Sequence, residues 1–151
     1  MIRSTAIFLS AALAAAVLTT QVARADEASV DQQIETLLGD VADYKELFYA
    51  FKVALDEGKS DIVVSLVSYP ITVTIDGEEA TYSSEQELLD GYDSVFTETI
   101  VEAVSNQNYG DLFVNSEGVM IGNGEVWLSG ICEDTACTSA LPRVAVIQSG
   151  N

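Results

Sequence analysis

The sequence predicts an α+β domain, and three observations carry that reading. Apolar residues recur on a helical period through the first half of the chain. An Asp76-Gly77 pair joins two β-branched runs, and the last third alternates apolar and polar residues on the strand period. Helices first and a strand meander last is the order of an α+β fold and not of alternating βαβ units.

The elements follow in order. Arg3, an h-region of 13 residues over 6–18 and Ala23-Arg24-Ala25 before Asp26 form the parts of a cleaved secretory signal. The run is shorter than the roughly 17 apolar residues a membrane span needs. Residues 1–25 are therefore expected to be a cleaved signal peptide, and residues 26–151 a single domain of 126 residues. No cysteine lies near the cleavage site, so a soluble product without membrane anchor is expected, periplasmic or extracellular.

Ser29 with Gln32 reads as a capping box, opening a helix with Val30, Ile34, Leu37 and Leu38 on one stripe and Gly39 as its stop. Asp40 caps a second helix, whose Tyr44, Leu47, Phe48, Phe51 and Leu55 share a face while Lys45, Glu46, Lys52 and Asp56 take the other. A short helical segment is expected over 61–67, ended by Tyr69-Pro70. Residues 69–75 and 80–82 read as two strands about the Asp76-Gly77 turn. Ser84 with Glu87 caps a further helical stretch through Val104, interrupted near Gly91 and Asp93.

Strands are expected at 111–115, on both sides of Asn123-Gly124, and at 143–148. A two-residue type I′ turn at Asn123-Gly124 pairs Ile121 with Val126, Met120 with Trp127 and Val119 with Leu128. Val119, Ile121, Val126 and Leu128 then form a core face, and Met120, Glu125 and Trp127 the opposite one.

Composition excludes several kinds of chemistry. Histidine is absent, which removes the usual Ser-His-Asp and Cys-His systems and the His-Glu-x-x-His zinc site. The net charge is -18, and loss of Arg3 and Arg24 on cleavage takes it to -20, with Lys45, Lys52, Lys59 and Arg143 against 24 carboxylates. Such a surface does not bind nucleic acid phosphates, and a basic protein is the partner its field would steer. Cys132 and Cys137, spaced C-x4-C in an exported chain, predict one local disulfide. Two thiolates alone make no structural zinc site, the carboxylate clusters lack a calcium-loop pattern, and no metal or cofactor is expected.

Phe51-Lys52, Ser68-Tyr69-Pro70, Ser84 with Leu88-Leu89 and Tyr92-Asp93, 112–115 and 118–127 resemble small exported bacterial members of the nuclear transport factor 2-like, or SnoaL-like, superfamily. The resemblance implies a cone in which a curved antiparallel sheet wraps the N-terminal helices around a cavity. Three functions follow. One is a binding domain for a small uncharged or cationic molecule, with Phe48, Phe51, Tyr69 and Phe96 and the Met120, Glu125, Trp127 set as pocket candidates. The second is an acidic protein that binds or inhibits a basic partner. The third is a histidine-free isomerase or dehydratase, with Tyr49 or Tyr69 as oxyanion donor and Asp93, Asp111 or Glu125 as base. Trp127 can instead lie at a homodimer interface through the outer sheet face.

Overall fold

The computed structural model describes residues 20–149. The expected export segment up to residue 19 lies outside the described residues. The order is α1 (Thr20–Leu37), α2 (Val41–Asp56), α3 (Ser60–Ser65), β1 (Ile71–Ile75), β2 (Glu78–Tyr82), α4 (Glu85–Asp90), α5 (Tyr92–Val95), α6 (Glu98–Ser105), a 3-10 turn at Tyr109–Asp111, β3 (Phe113–Asn115), β4 (Gly118–Ile121), β5 (Val126–Cys132) and β6 (Ala140–Ile147). The α+β class holds.

Ser29 does not start α1. The helix runs from Thr20 through it, because the Ala-rich residues before it continue the hydrogen-bond ladder and leave no free amides there to cap. Its hydroxyl lies instead 3.5 Å from Gln33 Nε2. Val30, Ile34 and Leu38 face inward at four-residue intervals, whereas Leu37 is 47% exposed because the helix ends on it. Gly39, at φ +108, turns the chain out of α1. Asp40 then caps α2, its carboxylate accepting from the Ala42 amide at 2.8 Å.

α2 is the central helix. Tyr44, Leu47, Phe48, Phe51 and Leu55 are all buried as their spacing required, and the helix packs against α3, α6, β5 and β6. Ser84 caps α4 by accepting from the Glu87 amide at 3.3 Å, while Glu87 reaches back to the Ser83 amide at 2.7 Å. The long helical stretch breaks at Gly91, where a Cβ would stand 2.7 Å from the Tyr82 ring, and again after Phe96. Leu88, Val95, Phe96, Ile100 and Val104 are nevertheless all buried.

β3, β4, β5 and β6 form an antiparallel sheet in chain order, and β1 and β2 form a hairpin about Asp76-Gly77, both at positive φ. Thr74 and Gln148 bridge the two sheets. The β4–β5 register is Val119 with Leu128, Met120 with Trp127 and Ile121 with Val126. Val119, Ile121, Val126 and Leu128 lie in the core at 0–1% exposure.

The turn that sets this register is not type I′. Gly122 and Gly124 have positive φ but Asn123 does not. Side chains hold the loop instead: the Glu125 carboxylate accepts from the Asn123 amide at 2.5 Å and Gln107 Oε1 from the Gly122 amide at 2.9 Å. Asp111 does not open a strand either, since it ends the 3-10 turn, in which Leu112 N donates to Tyr109 O at 3.2 Å. β6 starts earlier than its β-branched residues suggest, because Leu141 and Pro142 pair with Ile131 and Gly130 across an outer strand.

Candidate functional site

The pocket candidates do not converge. Phe48, Phe51 and Phe96 are core residues at 0–6% exposure, with Phe51 and Phe96 rings 6.3 Å apart. Tyr69 is half-buried and donates its hydroxyl to Val64 O at 2.8 Å, and burial, then the Glu85 charge, push its pKa up to about 12. Met120 and Trp127 lie on the far side of the sheet from the core, as strand alternation dictates, whereas Glu125 lies in the turn before β5 with its carboxylate folded back on the Asn123 amide. Of the acid–base candidates, Tyr49 and Asp111 line one cleft. Asp93 and Asp111 are solvent-exposed, and Glu125 is engaged by its own turn.

A different set of residues does meet. Lys45, Phe48, Tyr49 and Lys52 stand at i, i+3, i+4 and i+7 of α2, on one flank of the helix. α1 crosses this flank with Asp26, Glu27 and Asp31, and the 3-10 turn closes it with Tyr109 and Asp111. Gly110 permits the approach: a Cβ there would stand 3.1 Å from Asp26 Cβ and 3.3 Å from the Glu27 amide. The result is a cleft of about 320 Å³, lined among others by Asp26, Glu27, Phe48, Tyr49, Lys52 and Asp111.

Its wall is aromatic. Tyr49 and Tyr109 stack at 5.8 Å with 19° between ring planes, and Phe48 meets both edge-on at 5.1 and 5.6 Å. Tyr49 is 42% exposed and Tyr109 is buried. The Lys45 ammonium stands 4.4 Å from the centre of the Tyr109 ring, and 3.4 Å from both Glu27 Oε2 and Asp31 Oδ2. Burial, then the hydrogen bond to Asp31, hold the Tyr109 hydroxyl protonated far above the usual phenol range. Burial pulls the Lys45 ammonium down, but the charges and hydrogen bonds of Asp31 and Glu27 outweigh it and leave its pKa raised.

Lys52 is spent on the fold. Its ammonium donates to Val104 O at 3.1 Å and to Ser105 O, and so neutralises the carbonyl end of α6. Both lysines beside the cleft are thereby committed internally, and Asp26, Glu27 and Asp111 leave its mouth acidic. The sequence shows Lys45 and Lys52 seven apart on one helix, but carries no local signal for the residues of α1 and the 3-10 turn that meet them.

Other clefts carry less. One of about 400 Å³ contains Tyr69, Glu85, Cys132 and Arg143, one of about 450 Å³ contains Glu102, Asn106 and Asn123, and one of about 200 Å³ lies between α2 and β6. Phe51, Phe96, Met120, Glu125 and Trp127 line none of these four clefts. Among the described residues no group of three or more acidic or cysteine side chains is placed to hold a metal ion. Cys132 and Cys137 form a disulfide with 4.8 Å between Cα atoms, compatible with an exported protein, and no described helix is long and apolar enough to cross a membrane. No protein-family model, curated protein or solved structure matches the chain.

Proposed function

We propose that this chain is an exported binding domain of nuclear transport factor 2-like architecture that takes a small organic cation into the cleft between α1, α2 and the 3-10 turn. The observation that carries the reading is the half-exposed Tyr49 ring, stacked on Tyr109 beneath a rim of Asp26, Glu27 and Asp111. An ammonium group gains from an aromatic face and from carboxylates at once. The contact of Lys45 with the Tyr109 ring is an internal example of the same chemistry. A cleft of about 320 Å³ suits a metabolite-sized ligand.

Thermal-shift measurements against primary amines, quaternary ammonium compounds, neutral sugars and carboxylates test the reading. Amines or quaternary ammonium compounds are expected to raise Tm, and Tyr49→Ala to remove the effect while the protein stays folded. Stabilisation by carboxylates alone, or by no compound, overturns it.

A further inference from the structure

The outer face of the four-stranded sheet carries a row of apolar side chains that the cleft does not use. The registers put Phe113 opposite Met120, Met120 opposite Trp127 and Trp127 opposite Val146, so the row crosses all four strands. Phe113 is 52% exposed, and Met120, Trp127 and Val146 are partly exposed, while Val114, Val119, Val126, Leu128 and Ile147 on the other face are buried. The Phe113 ring reaches over Met120 and meets the Trp127 indole edge-on at 6.5 Å. Beside the indole stands Gly124, where a Cβ would lie 3.9 Å from Trp127 Nε1 and 4.0 Å from Met120 Sδ. Two rings and a thioether held on a rigid sheet, with a glycine beside them, are the materials of a protein contact.

The charge around the row selects the occupant. Asp111 stands two residues before Phe113, Glu117 projects from the β3–β4 turn, and both are exposed. The basic residues after residue 25 are engaged elsewhere: Lys45 with Glu27 and Asp31, Lys52 with the end of α6, Lys59 with Glu57, and Arg143 with Ser65 O at 3.0 Å. The field over this face is therefore that of a chain with 24 carboxylates and 6 basic residues. A second copy would bring Asp111 and Glu117 against their own kind, which self-repulsion opposes, and an anionic bilayer is repelled in the same way.

We propose that the Phe113–Met120–Trp127–Val146 row docks a protein partner whose contact surface is an apolar patch ringed by lysine and arginine. The charge speeds encounter, and the two rings supply the affinity once water is excluded. The cleft beside Tyr49 shares only Asp111 with the edge of this row, and its aromatic wall takes no part.

Trp127 is the only tryptophan, so its emission reports on this row directly. The probe is a synthetic amphipathic helical peptide of leucine and lysine, titrated at low and at high salt, with a lysine–serine peptide and a leucine–glutamate peptide as controls. The expected result is a blue-shifted, acrylamide-shielded emission with the leucine–lysine peptide only. Binding should weaken at least about tenfold at high salt, and about tenfold in Phe113→Ser. Phe113 is exposed enough for the variant to fold, which circular dichroism checks. Tyr49→Ala should leave the titration unchanged. Equal response to the leucine–glutamate or lysine–serine peptide, or an emission that never moves, overturns the proposal. So does a dimer in sedimentation whose Trp127 is already shielded before peptide is added, since a second copy then covers the face.

Discussion

Tyr109 donates its hydroxyl to Asp31 Oδ1 at 2.6 Å, joining residues 78 positions apart and tying the 3-10 turn to α1. Asp31 uses its other oxygen for Lys45 at 3.4 Å, so one carboxylate fixes both the aromatic wall and the cation beside it. The same phenol is buried by Phe48 and Tyr49, which makes the bond strong and its loss costly.

Tyr109→Phe keeps the ring and removes only this bond. A neutral donor to a charged acceptor contributes about 1.5–3 kcal/mol, and the half-exposed carboxylate lowers that to about 1–2 kcal/mol. The unfolding free energy from urea titration should fall by that amount, read as a lower midpoint at an unchanged m-value. A midpoint equal to that of the parent protein would show that water replaces the phenol without penalty.

Stability should fall in alkali. Burial raises the phenol pKa values of Tyr44, Tyr92 and Tyr109 and brings that of Tyr69 to about 12. In the unfolded chain the same groups ionise near 10. Above that pH the folded state holds more protons than the unfolded one, so stability is fully present below about pH 10 and is lost as pH rises through the folded values. Lys45, also raised, acts with the same sign. Urea midpoints together with phenolate absorbance from neutral pH to about pH 11.5 check this; a midpoint that stays level across the range contradicts it.

What the sequence discloses here is what local rules govern. The α2 stripe and the Val119–Leu128 register follow from side-chain period alone, because a slip by one residue would expose four core aliphatics. The Asn123-Gly124 dipeptide suggested the right register through the wrong turn, since Glu125 and Gln107 satisfy the loop amides by contacts that no dipeptide rule contains. The cleft was illegible for a related reason. It depends on α1 and the 3-10 turn meeting over α2, and Tyr109, Asp31 and Lys45 are joined by packing that no local pattern records. Weight placed on the aromatic residues as such led to Phe51 and Phe96, which fill the core.

The Cys132–Cys137 bond should contribute little. Only four residues lie between the cysteines, and a loop that short restricts the unfolded chain by at most about 2 kcal/mol. The loop is also held without it: Asp134 accepts from the amides of Ala136 at 2.8 Å and Thr138 at 3.2 Å and from the Thr138 hydroxyl, and its main-chain oxygen accepts from the Cys137 amide at 3.1 Å. These bonds, the Thr138 hydroxyl first, hold the Asp134 carboxyl below its usual range, so their support is present above about pH 4 and is lost as pH falls through the folded value. The Cys132→Ser, Cys137→Ser double variant should lose less than about 2 kcal/mol in urea. A larger loss would mean that the disulfide organises β5 and β6 beyond its own loop.

Gly118 is where a single methyl group should do the most damage. It begins β4 at φ +151, just after Asn115 accepts from the Glu117 amide at 2.8 Å and the Gly118 amide at 3.2 Å. A Cβ built there collides with the carbonyl oxygen of Leu128 and stands 2.8 Å from Ser129 Oγ. Leu128 O belongs to the neighbouring strand and cannot retreat without opening the Val119–Leu128 pair. Gly39 is the control, since it too has positive φ, +108, yet nothing lies within 4 Å of a Cβ there. Gly39→Ala should therefore lose only the backbone term, about 1–2 kcal/mol, while Gly118→Ala should lose about 3–4 kcal/mol, strain and collision together. Urea unfolding of the two variants side by side decides it. Equal losses would show that β5 yields at no cost, and would place the rigidity of this sheet elsewhere than in the close approach of β4 to Leu128.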